Sequence, residues 1–264
     1  MPNRTPSTAL ITGASSGIGA AYARRLAARG YDLVLVARRA DRLETLAVEL
    51  TKEFGIEVRP VIADLATHAG TAQVAEILAS DTSIDMLVNN AGISRLGATM
   101  DLSPAALDDM VALNITALTR LSRAALPGFV ARNRGTIVNI GSVLAFRAMP
   151  IASVYSGTKS YVLLFTSGLQ EELKDTAIRV QAVLPAGVAT EIYDGTILPL
   201  DQIPPELVMQ VDAMVDAALA GLDSGELVTL PSVSDLELLS RYTSAQADLF
   251  SASQTGRPAA RYGV

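Results

Sequence analysis

A tyrosine and a lysine that lie four residues apart, Tyr155 and Lys159, are residues whose types and spacing could do chemistry. In a helix this spacing places both side chains on one face. A free tyrosine has a pKa of about 10, so a tyrosine that exchanges protons near neutral pH needs a neighbouring positive charge to stabilise its phenolate. Lys159 could supply that charge. The alternative is a solvated helix face that carries the pair by chance.

The composition restricts the classes of protein to which the chain can belong. Its 264 residues are 50% hydrophobic, which is typical of a globular protein with a sizeable core. A net charge of −6 argues against a nucleic-acid or anionic-membrane partner, and the absence of cysteine excludes disulfides and thiol catalysis. No secretory signal and no membrane-spanning run is visible. We therefore expect a cytoplasmic protein without a metal and with neither a membrane nor a nucleic acid as its partner.

Apolar runs that are typical of strands alternate with helical patterns along the chain. The predicted strands are residues 8–11, 31–37, 58–63, 84–88, 135–140, 180–184 and 227–230. Predicted helices separate them and include residues 41–54, 71–80, 104–132, 153–174 and 205–222.

A glycine-rich loop follows the first predicted strand and precedes a helix. In this arrangement backbone N–H groups and a helix N-terminus can bind a pyrophosphate, with glycines allowing its close approach. The alternative is a tight turn that needs glycine only for its backbone angles. The candidate contacts are Gly13, Ser15, Ser16, Gly17, Ile18 and Gly19.

Two arginines, Arg38 and Arg39, follow the second predicted strand, where a dinucleotide site reads the adenosine ribose. An acidic residue at this place binds the 2′-hydroxyl of NAD, whereas arginine suits the 2′-phosphate of NADP. Asp41 is the competing acid, but with Glu44 it is typical of a capping box that starts the next helix. The sequence therefore favours NADP(H); the alternative for the arginines is a solvated loop.

Polar and small residues also follow the third, fourth and fifth predicted strands, where an open parallel sheet presents its ligand crevice. Asp64 could accept a hydrogen bond from the adenine amino group or cap the following helix. His68, in the connection after it, is assigned no role. The further candidates are Leu65, Asn90, Ala91, Gly92 and Ser142, of which the Asn90–Gly92 run could also be a plain turn.

Asn114 lies inside a predicted helix, where its amide competes for backbone hydrogen bonds, so it is either exposed or buried for a purpose.

These motifs, in this order and at these separations, resemble the short-chain dehydrogenase/reductase family over about residues 7–190. The resemblance implies one α/β domain over residues 1–264, a Rossmann-like doubly wound sheet of about seven parallel strands with helices on both faces. It implies that Tyr155 donates or accepts the proton and that Lys159 lowers its pKa and binds the nicotinamide ribose. Ser142 would hydrogen-bond the substrate oxygen, and Asn114 would hold a water in a proton relay. The residues that carry the resemblance are Thr12, Gly13, Gly17, Gly19, Asn89, Asn90, Ala91, Gly92, Asn114, Ser142, Tyr155 and Lys159.

The loop after the sixth predicted strand also matches the family. By resemblance, Pro185, Val188 and Thr190 belong to a loop that contacts the cofactor. Ala186 stands where the family usually has glycine, and Ser16 stands where many NADP-preferring members have a basic residue.

Residues 191–204 form a predicted lid over an apolar substrate pocket. Tyr193, Ile197 and Leu198 would face that pocket from the lid, or would simply pack onto the sheet. The rest of the pocket wall would come from Val143, Leu144, Phe146 and Met149. A C-terminal extension, residues 231–264, begins as a helix and then turns polar.

The sequence thus predicts an NADP(H)-dependent oxidoreductase that interconverts a carbonyl and a secondary alcohol on an apolar or medium-sized substrate. One alternative is a nucleotide-binding redox sensor or scaffold without turnover. Another is a dehydratase or epimerase on the same fold. The resemblance further implies a homodimer or homotetramer that pairs through the helices at about 104–132 and 153–174.

Overall fold

The structure is a computed structural model that describes residues 7–194 and 196–264, and the chain divides into two compact units, Met1–Pro231 and Ser232–Val264. The first unit contains every strand that the described residues form. The second contains the helix Glu237–Ser253, in which no side chain is buried, and a short 3-10 turn, Ala260–Tyr262. That one domain extends over all 264 residues stays a prediction.

Seven parallel strands form the central sheet, which confirms the predicted Rossmann-like fold. In chain order the strands are β1 (Thr8–Thr12), β2 (Asp32–Ala37), β3 (Val58–Ile62), β4 (Ile84–Asn89), β5 (Gly135–Ile140), β6 (Ile178–Val183), β7 (Gly187–Val188), β8 (Val208–Met209) and β9 (Val228–Thr229). The sheet has the order β3-β2-β1-β4-β5-β6-β9, while β7 and β8 pair with each other. The predicted strand at 227–230 is therefore the edge strand next to β6.

Helices cover both faces of this sheet. In chain order the helices of the first unit are α1 (Gly17–Ala28), α2 (Ala40–Phe54), α3 (His68–Ser80), α4 (Pro104–Val111), α5 (Leu118–Arg132), α6 (Ser153–Glu172) and α7 (Val211–Asp223). The helix of the second unit is α8 (Glu237–Ser253).

Alternate residues of each buried strand pack into two separate apolar cores, because successive side chains of a strand point to opposite faces of the sheet. In β1, Ala9 and Ile11 pack with residues of α1, α2 and α7. Leu10, between them, packs with residues of α3, α5 and α6. The nearly continuous apolar character of β1 follows from this burial on both sides.

Three sequence predictions about local structure are wrong. The helix predicted over 205–222 begins only at Val211, because Val208–Met209 pairs with Gly187–Val188 in a small second sheet. Asp41 does not form the predicted capping box: α2 begins at Ala40, its N-cap is Arg39, and no side chain caps it. His68 is the first residue of α3 rather than part of a connection, and Thr67 caps that helix by accepting a hydrogen bond from Gly70 N.

The long helix predicted over 104–132 is interrupted. A π-helical segment, Ala112–Ala117, separates α4 from α5 and contains Asn114. Segments of this kind are frequent at functional sites. Asn114 is only 2% exposed, so the question that the sequence left open is answered in favour of burial.

Gly135 provides a test of the packing between β5 and α5. A Cβ added to Gly135 would overlap the ring of Phe129, which is fully buried. We expect Gly135→Ala to lower the free energy of unfolding by about 1–3 kcal/mol, because an overpacked core must shift to accept the methyl group. The measurement is urea-induced unfolding followed by circular dichroism.

Gly168→Ala in α6 is the matched control for this substitution. A Cβ at Gly168 meets no atom within 4 Å, and the site is helical. The control should stabilise the protein by about 0.5–1 kcal/mol through helix propensity. An equal loss of stability in both variants would contradict the packing argument.

Candidate active site

A cavity of about 730 Å³ lies at the C-terminal ends of the central strands. The predicted site residues that line it are Gly13, Ser15, Ser16, Gly17, Ile18, Arg38, Arg39, Asp64, Leu65, Asn90, Ala91, Gly92, Ser142, Val143, Leu144, Tyr155, Lys159, Pro185, Val188, Thr190 and Tyr193. Of the predicted site residues, Gly19 and Asn114 do not line it. Parallel strands bring residues that are far apart in sequence to one edge of the sheet, which explains why a single cavity collects nearly all of them.

The glycine loop between β1 and α1 depends on two of its glycines for different reasons. Gly13 has a φ of 67°, and a Cβ there would lie 2.8 Å from Nδ2 of Asn90. A Cβ on Gly19 would overlap the carbonyl oxygen of Gly13, so Gly19 lies behind the loop and allows α1 to approach the strand end. The two glycines therefore allow the end of β1, the start of α1 and the loop after β4 to approach one another at the edge of the cavity.

Thr12 joins this loop to the loop after β4. Its hydroxyl donates to the carbonyl of Val88 over 3.2 Å and accepts from the backbone N–H groups of Asn90 and Ala91, each over 3.0 Å. Asn90 returns a hydrogen bond from Nδ2 to the carbonyl of Thr12 at 2.8 Å. These contacts hold Asn90 and Ala91 against the end of β1, where the glycine loop begins. The Asn90–Gly92 run is therefore more than a plain turn.

The two predicted ribose-site arginines differ in their contacts. Arg39 donates from Nη2 to the hydroxyls of Ser15 at 2.9 Å and Ser16 at 2.7 Å, and from Nη1 to the carboxylate of Glu191 at 2.7 Å. Arg38 is exposed on the cavity wall and has neither a hydrogen bond nor an ion pair to any residue that the structure describes. No sequence pattern indicated the contact with Glu191, which lies 152 residues from Arg39.

Asp64 uses one carboxylate oxygen locally, since Oδ1 accepts a hydrogen bond from the backbone N–H of Ala66 at 3.0 Å. Thr67, not Asp64, caps the following helix. The predicted contact of Asp64 with an adenine stays a prediction.

Ala186 fits the loop after β6 without strain. Among the non-glycine residues that the structure describes, only Asn133 has a positive φ, so Ala186 does not adopt a backbone conformation reserved for glycine. The neighbouring Pro185 accepts a hydrogen bond from the backbone N–H of Val143 at 3.0 Å, which ties this loop to the residue after Ser142.

Tyr155 and Lys159 share one face of α6, as their spacing predicts. Nζ of Lys159 lies 5.6 Å from the centroid of the Tyr155 ring and donates to the carbonyl of Ile140, at the end of β5, over 2.9 Å. Lys159 is 5% exposed. The pair is therefore not a solvated helix face.

Burial changes the proton affinity of both groups. It lowers the pKa of Lys159 from 10.5 to about 8, because a buried ammonium loses its hydration. Burial also raises the pKa of the Tyr155 phenol, and the nearby Tyr193 raises it further. Tyr155 is consequently a neutral phenol at neutral pH, the form that can donate a proton, while Lys159 keeps its positive charge below a pH of about 8.

Ser142 lies two residues after the end of β5, and it is 8% exposed. Its Oγ accepts a hydrogen bond from the backbone N–H of Leu144 at 3.2 Å. A hydroxyl that accepts one hydrogen bond can still donate its own proton. Ser142 can thus serve as a hydrogen-bond donor to a group in the cavity.

Asn114 lies behind the cavity wall and fixes the loop after Gly92. Its Oδ1 accepts from the N–H of Ile93 at 2.9 Å, and Nδ2 donates to the carbonyl of Ile93 at 2.9 Å and to Oγ1 of Thr158 at 3.1 Å. Thr158 in turn donates to the carbonyl of Tyr155 at 2.7 Å. Asn114 therefore links the π segment to the turn of α6 that carries Tyr155.

The remaining wall of the cavity is largely apolar. Met149 and Leu198 line it as the sequence predicts, whereas Phe146 and Ile197 do not, so those two expectations are wrong. Sequence reasoning missed several apolar residues because they lie in loops without a periodic pattern. These are Leu96, Ile151, Ile203 and Leu207.

The residues present suit a dinucleotide. The glycine loop lines the cavity at the start of α1, and two arginines that follow β2, Arg38 and Arg39, line the same cavity. No group of three or more potential metal ligands occurs among residues 7–194 and 196–264. Within the same residues, no helix has the length and apolar character needed to cross a membrane.

The family model described as short chain dehydrogenase matches residues 7–197. The chain belongs to this family, and it is an oxidoreductase. The predictions of family, fold and enzyme class are thereby confirmed.

Two solved structures resemble almost the whole chain. A short-chain dehydrogenase from Sphingobium yanoikuyae in complex with NADPH is 45% identical with a TM-score of 0.93, and the match covers 97% of this chain and 100% of that chain. The bulky-bulky ketone specific alcohol dehydrogenase from Comamonas testosteroni is 41% identical with a TM-score of 0.90, over 98% of this chain and 99% of that chain.

Curated relatives match a shorter part of the chain. The very-long-chain 3-oxoacyl-CoA reductase of Anas platyrhynchos is 34% identical over 203 residues, which are 75% of this chain and 65% of that protein. The chain thus spans less than two thirds of that relative.

Burial of Lys159 leads to a pH-dependent prediction about stability. With a pKa of 10.5 outside the fold and about 8 inside it, the unfolded chain binds more protons between these values, so the wild type gains stability as the pH rises through that window. We expect Lys159→Met to be more stable than the wild type by about 1–3 kcal/mol at about pH 7 and by much less at about pH 9.5. Urea-induced unfolding at both pH values measures this.

The control is Lys52→Met on the exposed side of α2, for which no such pH dependence is expected. A stability difference for Lys159→Met that is the same at both pH values would show that the ammonium is not destabilised by burial.

Proposed function

We propose that the protein is an NADP(H)-dependent oxidoreductase that interconverts a bulky apolar ketone and its secondary alcohol. The observation that carries the proposal is the composition of one cavity. It brings Ser142, Tyr155 and Lys159 together with a glycine loop and two arginines. Proton-donating groups and a dinucleotide cradle in the same cavity are what a carbonyl reductase requires.

The residues that would hold the cofactor follow from the chemistry of the wall. The backbone of the Gly13–Gly19 loop would bind the pyrophosphate. Arg38, whose guanidinium has no partner among residues 7–194 and 196–264, would bind the 2′-phosphate. Ser16 is not basic, but Arg39 brings a guanidinium within 2.7 Å of its hydroxyl. A positive group is therefore present where many NADP-preferring members of the family have a basic side chain. The similar structure that contains NADPH supports the same assignment.

A nicotinamide cofactor supplies or accepts the hydride when it is bound. The side chains of the protein would stabilise the negative charge that develops on the substrate oxygen. Ser142 and Tyr155 would donate hydrogen bonds to that oxygen, which stabilises the transition state more than the ground state. Tyr155 would then give up its phenolic proton, and the adjacent positive charge of Lys159 would stabilise the phenolate that remains.

The environment of Gly92 supports the predicted proton relay. A Cβ on Gly92 would lie 3.2 Å from Oδ1 of Asn114 and 3.6 Å from Nζ of Lys159, so both polar atoms flank the space beside this glycine. Oδ1 of Asn114 has one lone pair left after its bond to the Ile93 N–H. A water in that space could accept from Lys159 and donate to Asn114.

The size and polarity of the wall support a bulky apolar substrate. Apolar side chains from three separate loops line the cavity beyond Tyr155. They include Leu96, Leu144, Met149, Ile151, Leu198, Ile203 and Leu207. The solved relative named as specific for bulky-bulky ketones supports this class of substrate, as do the curated relatives that reduce very-long-chain 3-oxoacyl groups.

The homodimer or homotetramer implied by the family resemblance stays a proposal. Exposed apolar residues on the helices concerned support it, namely Val111, Val130 and Leu164.

Replacing Tyr155 tests the acid/base role. We expect Tyr155→Phe to lower kcat for ketone reduction by about 10²–10⁴-fold, because the proton donor is lost, while the Kd of NADPH changes little. Nicotinamide absorbance gives the rate, and a fluorescence titration gives the affinity.

Tyr161→Phe is the matched control, because it removes a hydroxyl from the same helix at a place outside the cavity, where that hydroxyl contacts Thr119 over 2.8 Å. Undiminished turnover by Tyr155→Phe would show that Tyr155 is not the proton donor. Binding of NADPH without turnover of any ketone by the wild type would instead favour a redox sensor or a non-redox enzyme.

Replacing Arg38 tests the choice of cofactor. We expect Arg38→Ala to weaken NADPH binding about tenfold or more and to leave NADH binding almost unchanged, since only the 2′-phosphate needs the guanidinium. Titration of the two cofactors measures both effects. Arg24→Ala, which removes an exposed arginine paired with Glu49 away from the cavity, controls for the loss of charge. Equal losses for both cofactors would contradict a phosphate contact by Arg38.

A further inference from the structure

An ionic cluster joins the arginines after β2 to the first residue of the predicted lid. Oε2 of Glu191 lies 2.7 Å from Nη1 of Arg39, and Oε1 lies 2.6 Å from Nη1 of Arg42. Arg39 also holds the hydroxyls of Ser15 and Ser16 in the glycine loop. We call Arg39, Arg42 and Glu191 the arginine–Glu191 cluster. It connects three segments that are far apart in sequence.

The carboxylate in this cluster has the contacts that a phosphate would need. Guanidinium groups bind carboxylates and phosphates through the same parallel N–H donors. Hydrogen bonds from Arg42 and Arg39 lower the pKa of Glu191 from 4.5 to about 2, so its carboxyl group is ionised throughout the physiological range. A 2′-phosphate that approached these arginines would meet both occupied donors and a like charge.

The cluster is accessible to a ligand and weak enough to be displaced. The side chains of Arg39, Arg42 and Glu191 are 40%, 46% and 44% exposed. Ion pairs with this exposure contribute little to stability, because water screens them and long side chains lose freedom. A phosphate monoester carries more charge and more acceptor oxygens than one carboxylate, so it competes well for the same donors.

We infer that Glu191 is a specificity-determining residue that competes with the 2′-phosphate of NADP(H) for Arg39 and Arg42 and links cofactor binding to the lid. The inference rests on the proposed NADP(H) dependence. Binding of the phosphate replaces Glu191 on the arginines, whereas NAD(H), which lacks this phosphate, leaves the cluster intact. The displacement of Glu191 thus weakens the binding of NADP(H) alone. Arg38 provides a contact with the 2′-phosphate that does not require this displacement.

The consequence for the lid follows from the position of Glu191. It is the first residue of the 3-10 turn Glu191–Tyr193, directly after Thr190, which lines the cavity beside the glycine loop. Tyr193 and Leu198, farther along the same segment, line the substrate side. Release of Glu191 removes the ionic contact at the beginning of this segment, so the 2′-phosphate end of the site controls the freedom of the lid at the substrate end.

The first experiment measures the affinity of the full chain for two adenosine fragments without a nicotinamide. Adenosine 2′,5′-bisphosphate and adenosine 5′-monophosphate differ only in the 2′-phosphate. We expect Glu191→Gln to bind the bisphosphate about tenfold more tightly than the wild type does, with little change for the monophosphate. Isothermal titration calorimetry at fixed salt gives both Kd values.

Asp194→Asn is the matched control. Asp194 lines the same cavity in the same segment, and its carboxylate forms no ion pair within the described part of the chain. If Glu191 acts as a competitor, Asp194→Asn changes the bisphosphate affinity much less than Glu191→Gln does. Equal gains in bisphosphate affinity in the two variants would show that the effect comes from the change in net charge alone, and would overturn the inference.

The outcomes separate this inference from the proposed function. A wild type that binds the bisphosphate no more tightly than the monophosphate contradicts the NADP(H) proposal, and the inference falls with it. A wild type that prefers the bisphosphate, together with a Glu191→Gln variant of unchanged or lower affinity for it, overturns only the role of Glu191.

Hydrogen exchange tests the link to the lid without any turnover. In the wild type, saturating bisphosphate should speed the exchange of backbone amides over residues 196–203, whereas saturating monophosphate should not. Glu191→Gln should show the faster exchange without any ligand. Identical exchange over this segment in all of these states would overturn the link.

Discussion

The hydrogen bonds between Thr12 and Asn90 join the loops that follow β1 and β4, at the place where the sheet order reverses. From β1 the chain continues to α1 on one face, and from β4 it continues to α4 and α5, of which α5 packs on the other face. The two loops therefore separate and leave a crevice. Gly13 allows these two loops to approach each other, because a Cβ there would lie 2.8 Å from Nδ2 of Asn90. The cradle and the proton-donating groups can share one cavity only because of this arrangement.

Much of the fold followed from local patterns, and the site followed from residue types at strand ends. The buried strands and the Tyr155–Lys159 face were predictable because their signals repeat over a few residues. The pairing of Val208–Met209 with Gly187–Val188 was not, because a ladder of two residues leaves no period in the sequence. The contacts of Glu191 with Arg39 and Arg42 were also not predictable, because no local sequence pattern indicates an ion pair between residues about 150 positions apart.

Lys159 shows how the site combines stability and reactivity. Its ammonium is buried beside Tyr155 and is held by a backbone carbonyl at the end of β5 rather than by any carboxylate among the described residues. A carboxylate partner would neutralise the charge before chemistry begins. The neutral carbonyl dipole holds the ammonium but leaves its charge available to a phenolate. The lowered pKa of Lys159 is the cost of this arrangement, and it limits the pH range over which the charge is present.

The strand order has a consequence for synthesis on the ribosome. The N-terminal strands β3, β2, β1 and β4 are neighbours, so they can pair as soon as residue 89 has emerged. The neighbour of β4 on its other side is β5, which ends at Ile140. Until β5 emerges, the growing chain exposes an apolar, unpaired edge along β4. That interval lasts for about fifty residues of translation, from chain position 89 to chain position 140.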